Sequence, residues 1–151
     1  MPPDIAAPDP HDLQRFVDAQ RGAYAQALAE LRAGRKRSHW IWFVLPQVAG
    51  LGFSPMSMRY AISSLDEARA YLAHEVLGPR LRECVAALNA LPTRDAVGVL
   101  GPTDAMKLRS CLTLFMAAAP TEAVFREALD KSFGGSMDEA TIARLTPVPP
   151  P

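Results

Sequence analysis

The sequence predicts an all-α protein: a single compact domain of about eight or nine helices. Three observations carry that prediction. Apolar residues recur at helical spacing along most of the chain. Starts and stops are marked again and again, by Asp, Ser or Thr ahead of a periodic run and by Gly or Pro behind it. Alternating apolar–polar runs of the strand type are nearly absent. The length of 151 residues suits one domain, and 49% apolar residues is too many for a chain disordered throughout.

Residues 1–9, with Pro2, Pro3 and Pro8, read as a flexible N-terminal tail. Asp9 then offers an N-cap with Pro10 at the first helical position, and Asp12 stands near the positive end of the dipole. The first helix is expected to run to Ala33 on a stripe of Leu13, Phe16, Val17, Tyr24, Ala27, Leu28 and Leu31, with Gln20 on the same stripe and Gly34 as a left-handed stop. Ser38 is expected to cap a short helix from Trp40 to Leu45; a strand is the alternative, because a continuous apolar run carries no period. Pro46 ends either one. Gly50-Leu51-Gly52 is a loop, and Ser54-Pro55 starts a helix through Tyr60.

Ser64 and Glu67 form a capping box for a helix ending near His74. Gly78-Pro79 begins the next, with Leu81, Cys84, Val85 and Leu88 on one face and Leu91-Pro92 at its end. Thr93 caps a short helix through Val99 that Gly101 stops. Pro102-Thr103-Asp104 opens a longer one, from about Asp104 to Ala118. Pro120-Thr121 starts another, burying Val124, Phe125 and Leu129 and closing at Gly134-Gly135. Asp138 caps a last helix through Ile142 and Leu145. The domain thus spans 10–145, and residues 146–151 are a proline-rich C-terminal tail.

Formal net charge is zero, which disfavours a broad nucleic-acid-binding surface and leaves Arg32 to His39 as the one dense basic run. Cys84 and Cys111 lie on apolar helical stripes and are expected to be free thiols. Met1 to Pro10 has no apolar core of a signal peptide, and the longest apolar run, Trp40 to Leu45, is far shorter than the roughly 20 residues a membrane span needs. A soluble, cytoplasmic protein is expected. His11, His39 and His74 stand apart with no second ligand at metal spacing, so no metal is expected. There is no P-loop, Gly-x-Ser-x-Gly elbow or zinc ribbon, so no cofactor is expected either.

The functional interest concentrates between Gly34 and Ser57. Arg35, Lys36 and Arg37 run into His39, Trp40 and Trp42, then into Pro46-Gln47, a Gly50-x-Gly52 loop, and Ser54 and Ser57. Cations, backbone donors at the glycine loop and a helix start at Ser54 could together cradle an anion. The same residues also suit a solvated basic turn at a helix C-terminus. An indole face suits a planar ring. One tryptophan is expected in the core and the other at a pocket. Gln47, on a rigid turn, could read a ring edge or satisfy the loop backbone. Further on, Asp104, Lys107 and Ser110 recur at three-residue spacing on one helix face, with Arg109 on another.

The chain resembles a mainly bacterial family of all-helical domains of unknown function that often carries the label calpastatin. The likeness rests on Gly34-Arg35-Lys36-x-Ser38-His39-Trp40-x-Trp42-Phe43-x-x-Pro46-Gln47, on Asp12-Leu13-x-Arg15-Phe16, and on Asp104-x-x-Lys107-Leu108-Arg109-Ser110. It departs where Glu75 follows His74 and at Cys111-Leu112. The resemblance implies the helical fold and no reaction. The label itself lacks physical support, since a disordered protease inhibitor would be poor in core residues.

The expected function is binding, with or without turnover, of a phosphate-bearing or nucleotide-like small molecule. The candidate ligand-binding residues are Arg35, Lys36, His39, Trp42, Gln47, Gly50, Gly52, Ser54, Ser57, Lys107, Arg109 and Ser110. His39, Asp104 and Lys107 are the candidate catalytic groups. The alternative is a protein- or nucleic-acid-interaction module built on the Arg32–His39 patch.

Overall fold

The structure is a computed structural model that describes residues 8–145; the two expected tails lie largely outside the described residues. Ten helices follow one another: α1 (Gln14–Gln20), α2 (Tyr24–Ala33), α3 (Ile41–Val44), α4 (Pro55–Arg59), α5 (Leu65–Ala73), α6 (Leu77–Ala90), α7 (Ala96–Leu100), α8 (Pro102–Ala118), α9 (Ala123–Phe133) and α10 (Glu139–Leu145). The all-α expectation holds. The extra helix comes from the first predicted one, which is broken at Arg21–Ala23. There the Ala23 amide turns back to the Gln20 carbonyl at 3.0 Å. Gly22, a poor helix former, lies in the break, and Gln20 anchors the end of α1. Gln20 is buried, and its amide donates to the Phe43 carbonyl at 2.7 Å and the Tyr71 hydroxyl at 3.2 Å, so it fixes α1 against α3 and α5.

Several caps fall on other residues than expected. Asp9 does accept the amides of Leu13 and Gln14, at 2.8 and 2.9 Å. Asp12, however, sits in the turn ahead of α1 with φ +49°. Ser38 caps nothing; its hydroxyl donates to Glu30. Ser64 accepts the Glu67 amide as a capping box requires, but the Glu67 carboxylate takes the amide and hydroxyl of Ser63, and Arg15 from across the fold. For α7 the capping carboxylate is Asp95, which accepts from the Gly98 amide at 3.0 Å, while Thr93 holds Asp95 from behind.

Helix α8 is the axis of the molecule, packed by α5, α7, α9 and α10, with α6 spanning α2, α5 and α9. A line of ring contacts runs through the core from Phe43 to Tyr60, Phe16, Tyr71, Phe115 and Phe125, with centroids 5.1–5.9 Å apart. Such spacings fit edge and offset packing of aromatic quadrupoles. The α5–α6 corner depends on Gly78, where a Cβ would stand 2.1 Å from the Leu72 carbonyl oxygen. Across the bundle, the Lys131 ammonium donates to the carbonyls of Leu88, Asn89 and Leu91 at the C-terminus of α6, where the Leu88 carbonyl also accepts the Leu91 amide.

Among the described residues the segment after α3 and the segment after α4 meet in one short parallel bridge, Val48 with Ile62. The Ala49 amide donates to Ile62 and the Ile62 amide to Gln47, at 2.8 and 2.9 Å. This pair holds the Gln47–Ser57 loop, and with it one wall of the site, against the body of the protein. No helix among the described residues is long and apolar enough to cross a membrane.

Candidate functional site: a cleft between the glycine loop, α8 and the start of α10

The first half of helix α8 presents Thr103, Met106, Lys107 and Ser110, at spacings that keep them on one face. Opposite lie Gln47, Leu51, Gly52 and Ser57 of the loop, and Asp138 and Ala140 close the third side. They enclose a cleft of about 280 Å³, near the lower end of the range for metabolite pockets. A crevice of about 10 Å³ continues from it, sharing Gln47, Gly52 and Ser57 and reaching Trp42, Gly50 and Tyr60.

The loop is shaped by close approaches. A Cβ on Gly52 would come within 2.7 Å of the Ser57 hydroxyl, and one on Gly50 (φ +95°) within 2.6 Å of the Arg144 guanidinium carbon. Arg144 of α10 also donates to the Gly50 carbonyl at 3.3 Å, tying the third wall to the first. Asp138 is anchored at both ends. Its amide donates to Thr113 Oγ1 at 2.9 Å, and its Oδ2 accepts from the Thr141 amide and hydroxyl, with Ser110 Oγ 3.2 Å away.

Behind α8 lies a chain of charges. Lys36 Nζ pairs with Asp104 Oδ2 at 2.8 Å and donates to the Ser38 carbonyl at 2.6 Å. Its side chain is 7% exposed. Lys107 Nζ is 3.9 Å from the other Asp104 oxygen and 5.0 Å from the centroid of the Trp42 ring, a cation–π position. Lys36 sits likewise over Trp40 at 5.1 Å. Trp40 is the core tryptophan, its indole N–H bonded to Glu30 at 3.0 Å. Trp42 lines the crevice, and its indole N–H is buried with no acceptor among the described residues.

Glu30 organises the first part of the central stretch, and sequence reasoning passed it over. This buried carboxylate accepts from the amides of Arg37 and Ser38, the Ser38 hydroxyl, the Trp40 indole and the Gln26 side chain, all between 2.6 and 3.0 Å. Burial alone would raise its pKa; the hydrogen bonds from Ser38, Arg37 and Gln26 outweigh that and hold it well below the usual carboxylate range. A signal was available. Glu30 stands in the last turn of α2, where the helix dipole disfavours an acid, so some other partner had to be there.

The expected site residues therefore divide. Gln47, Gly52, Ser57, Lys107 and Ser110 meet in the cleft, and Trp42 and Gly50 in the adjoining crevice. The Gln47 side chain makes no hydrogen bond with a described residue, so satisfying its own loop is not its role. Lys36 and Asp104 pair with each other behind the cleft. Ser54 is the cap of α4, accepting the Ser57 amide at 3.1 Å. Arg109 points away and holds the carbonyls of Ser136 and Met137. Arg35 opens instead on a separate recess with Arg37, Gln26 and Glu30. His39 is exposed and lines no part of the cleft. Of the basic run only Lys36 is turned inward; Arg32, 3.7 Å from Glu83 in an exposed pair, Arg35 and Arg37 are its outward cations. Asp138 and Met106 were missed as lining residues, because a cap and an exposed methionine give no such signal in sequence. Among the described residues no three His, Cys, Asp or Glu side chains are grouped to hold a metal.

The fold and much of its sequence recur in a solved structure. The conserved hypothetical protein Rv1873 from Mycobacterium tuberculosis, whose crystal structure was determined at 1.38 Å, is 51% identical over 91% of this chain and 98% of its own, with a TM-score of 0.89. No curated protein matches the sequence. Neither the matching family nor that structure carries the calpastatin label. The family model described as "Protein of unknown function (DUF1810)" matches residues 10–145, and the chain belongs to that family.

Proposed function

We propose that the protein binds a small ring-containing metabolite carrying an anionic group, a phosphate ester in the simplest case, in the cleft between the glycine loop and α8. The observation that supports this reading is the Trp42 indole N–H, buried beside that cleft without an acceptor among the described residues. A buried donor left unpaired costs about 1–3 kcal/mol, so a polar atom of a ligand or a water gains by being placed there. The crevice has room for about one such atom.

The charges support the anionic half of the reading. Lys36, Asp104 and Lys107 sum to one positive charge, and Asp138 on the third wall carries one negative charge, so the attraction for an anion is local to Lys107. Lys36 holds Asp104 at 2.8 Å, while Lys107 is only loosely attached at 3.9 Å and lines the cleft. Lys107 is therefore the cation available to a ligand. Trp42 changes role from the one expected. Lys107 covers a face of its ring, so the indole acts as a hydrogen-bond donor and as a rest for the cation, not as an open stacking platform. Of the three candidate catalytic groups, His39, Asp104 and Lys107, only Lys107 lines the cleft.

The test is calorimetric titration and thermal shift with orthophosphate, adenosine and adenosine monophosphate. At 100 times its dissociation constant a ligand adds about 2.7 kcal/mol of stability. Lys107→Met should weaken the monophosphate about tenfold or more, Trp42→Phe should weaken it while keeping an aromatic ring in place, and Arg35→Ala should leave it unchanged. If folded Lys107→Met binds as wild type does, or if Arg35→Ala alone abolishes binding, the cleft is not the site.

A further inference from the structure

We infer that Asp138 sets the ligand class, selecting a ring that offers N–H donors, such as an exocyclic amine, over the corresponding oxo ring. This rests on the reading of the same cleft given above.

Asp138 has the construction of a recognition group. It lies in the cleft wall with Ser110, one helical turn along α8 from Lys107. The residue is held by its own amide on Thr113 and by the Thr141 amide and hydroxyl, which converge on a single carboxylate oxygen, Oδ2; the Ser110 hydroxyl stands 3.2 Å from that oxygen and equally from the Met106 carbonyl. Oδ1 accepts no hydrogen bond from a described residue. A carboxylate fixed through one oxygen presents the other in a set direction, with no rotamer freedom to lose when a donor arrives. Its chemistry is limited to acceptance. A ligand amine answers it; a ring carbonyl at the same position sets two acceptors against each other.

The neighbouring groups match. Lys107 supplies positive charge at the α8 face, and the Trp42 N–H is a donor in the crevice. Gln47 reaches both spaces and can donate or accept. A cleft with a cation, a lone donor and a fixed acceptor fits a ligand that is anionic at one point, a hydrogen-bond acceptor at another and a donor at a third. An aminated heterocycle on a phosphate ester has that pattern.

The experiment compares matched pairs on the full chain: adenosine against inosine monophosphate, and cytidine against uridine monophosphate, by calorimetry, with orthophosphate as a third probe. In the wild type the amino member of at least one pair should bind about tenfold or more tightly than its oxo partner. Asp138→Asn retains an amide oxygen for the Thr141 donors but replaces the free acceptor. It should collapse the preference to within about twofold, and the loss of its negative charge should leave orthophosphate bound at least as tightly as in the wild type. Equal binding of both members of each pair by the wild type overturns the inference, while loss of that binding in Lys107→Met would keep the cleft as the site. If orthophosphate binds but no nucleotide does, the inference fails and the anion subsite survives. If none of the probes binds, both readings fail. An equal loss of both members in Asp138→Asn makes Asp138 structural and also overturns the inference. Should that variant not fold, the wild-type pairs alone decide.

Discussion

Replacing Glu30 with glutamine tests the central structural argument, that the basic-aromatic stretch after α2 is organised by one buried carboxylate. The side chain keeps its shape and loses its charge, and one of its two oxygens becomes a donor. Wild-type Oε1 accepts from the Arg37 amide, the Ser38 amide and the Trp40 indole, while Oε2 accepts from the Ser38 hydroxyl and Gln26. Whichever end the new amine takes, at least two donors lose their acceptor. A hydrogen bond to a charged group contributes about 1.5–3 kcal/mol against about 0.5–1.5 for a neutral one, so the loss should total roughly 3–5 kcal/mol. For a domain of this size each kcal/mol moves the melting temperature by about 2–4 °C, so a drop of roughly 10 °C is expected by calorimetry. The pH dependence has a definite sign. The folded-state pKa of Glu30 lies below the unfolded value, so the unfolded chain binds more protons as pH falls through that interval. The stabilisation is complete above the unfolded value of about 4.3 and is lost as pH drops toward the depressed folded value. The gap between wild type and Glu30→Gln should therefore be widest near neutrality and narrow below about pH 4. A melting temperature within 2 °C of wild type at pH 7, about the effect of under 1 kcal/mol, would refute the argument.

Three other outcomes are expected. Gly78→Ala should destabilise the fold by about 1–3 kcal/mol or more in urea melts, because the added methyl would meet the Leu72 carbonyl at 2.1 Å and that neighbour is backbone. Cys84 and Cys111 are buried and free, and burial pushes the Cys84 thiol up to about 12, so both should react with a disulfide reagent slowly when native and fast in denaturant. Lys36→Met should cost about 1–3 kcal/mol and also weaken anion binding, although Lys36 does not line the cleft; titration of the folded variant reads the second effect directly.

The fold was legible because each helix carries its own local marks. Gly34 and Gly134 end α2 and α9 in left-handed geometry, and Ser54 and Ser64 cap α4 and α5 as their spacing implied. The break after Gln20 has one local mark, Gly22, but the apolar stripe continues through it and a lone glycine does not by itself end a periodic run. The acceptors on α3 and α5 that hold Gln20 there are too distant in sequence to leave a local pattern. The site divided along the same line. Thr103, Lys107 and Ser110 share a face by helical period alone, and they do meet in the cleft. Which cations would face it could not be read from a run of three. The answer depends on Asp104, 68 positions after Lys36, turning that lysine inward, and on Glu30 taking the amides of Arg37 and Ser38.

The Gly34–Ser57 stretch thus does two physically different jobs in sequence. From Gly34 to Trp40 its polar groups are directed at carboxylates of the protein itself, Glu30 and Asp104, and this fixes the path of the chain into α3. From Trp42 to Ser57 its polar groups face the cleft, and several have no partner or only a neighbouring serine. Lys36 couples the two halves. With Lys36 in place, Asp104 is already neutralised, and Lys107 carries its charge into the cleft. Without it, Lys107 becomes the nearest cation to a partly buried carboxylate and is drawn from 3.9 Å into a full ion pair. A residue outside the cleft would then determine whether the Lys107 charge is available in the cleft, which is why the basic run can matter for an anion that neither Arg35 nor Arg37 touches.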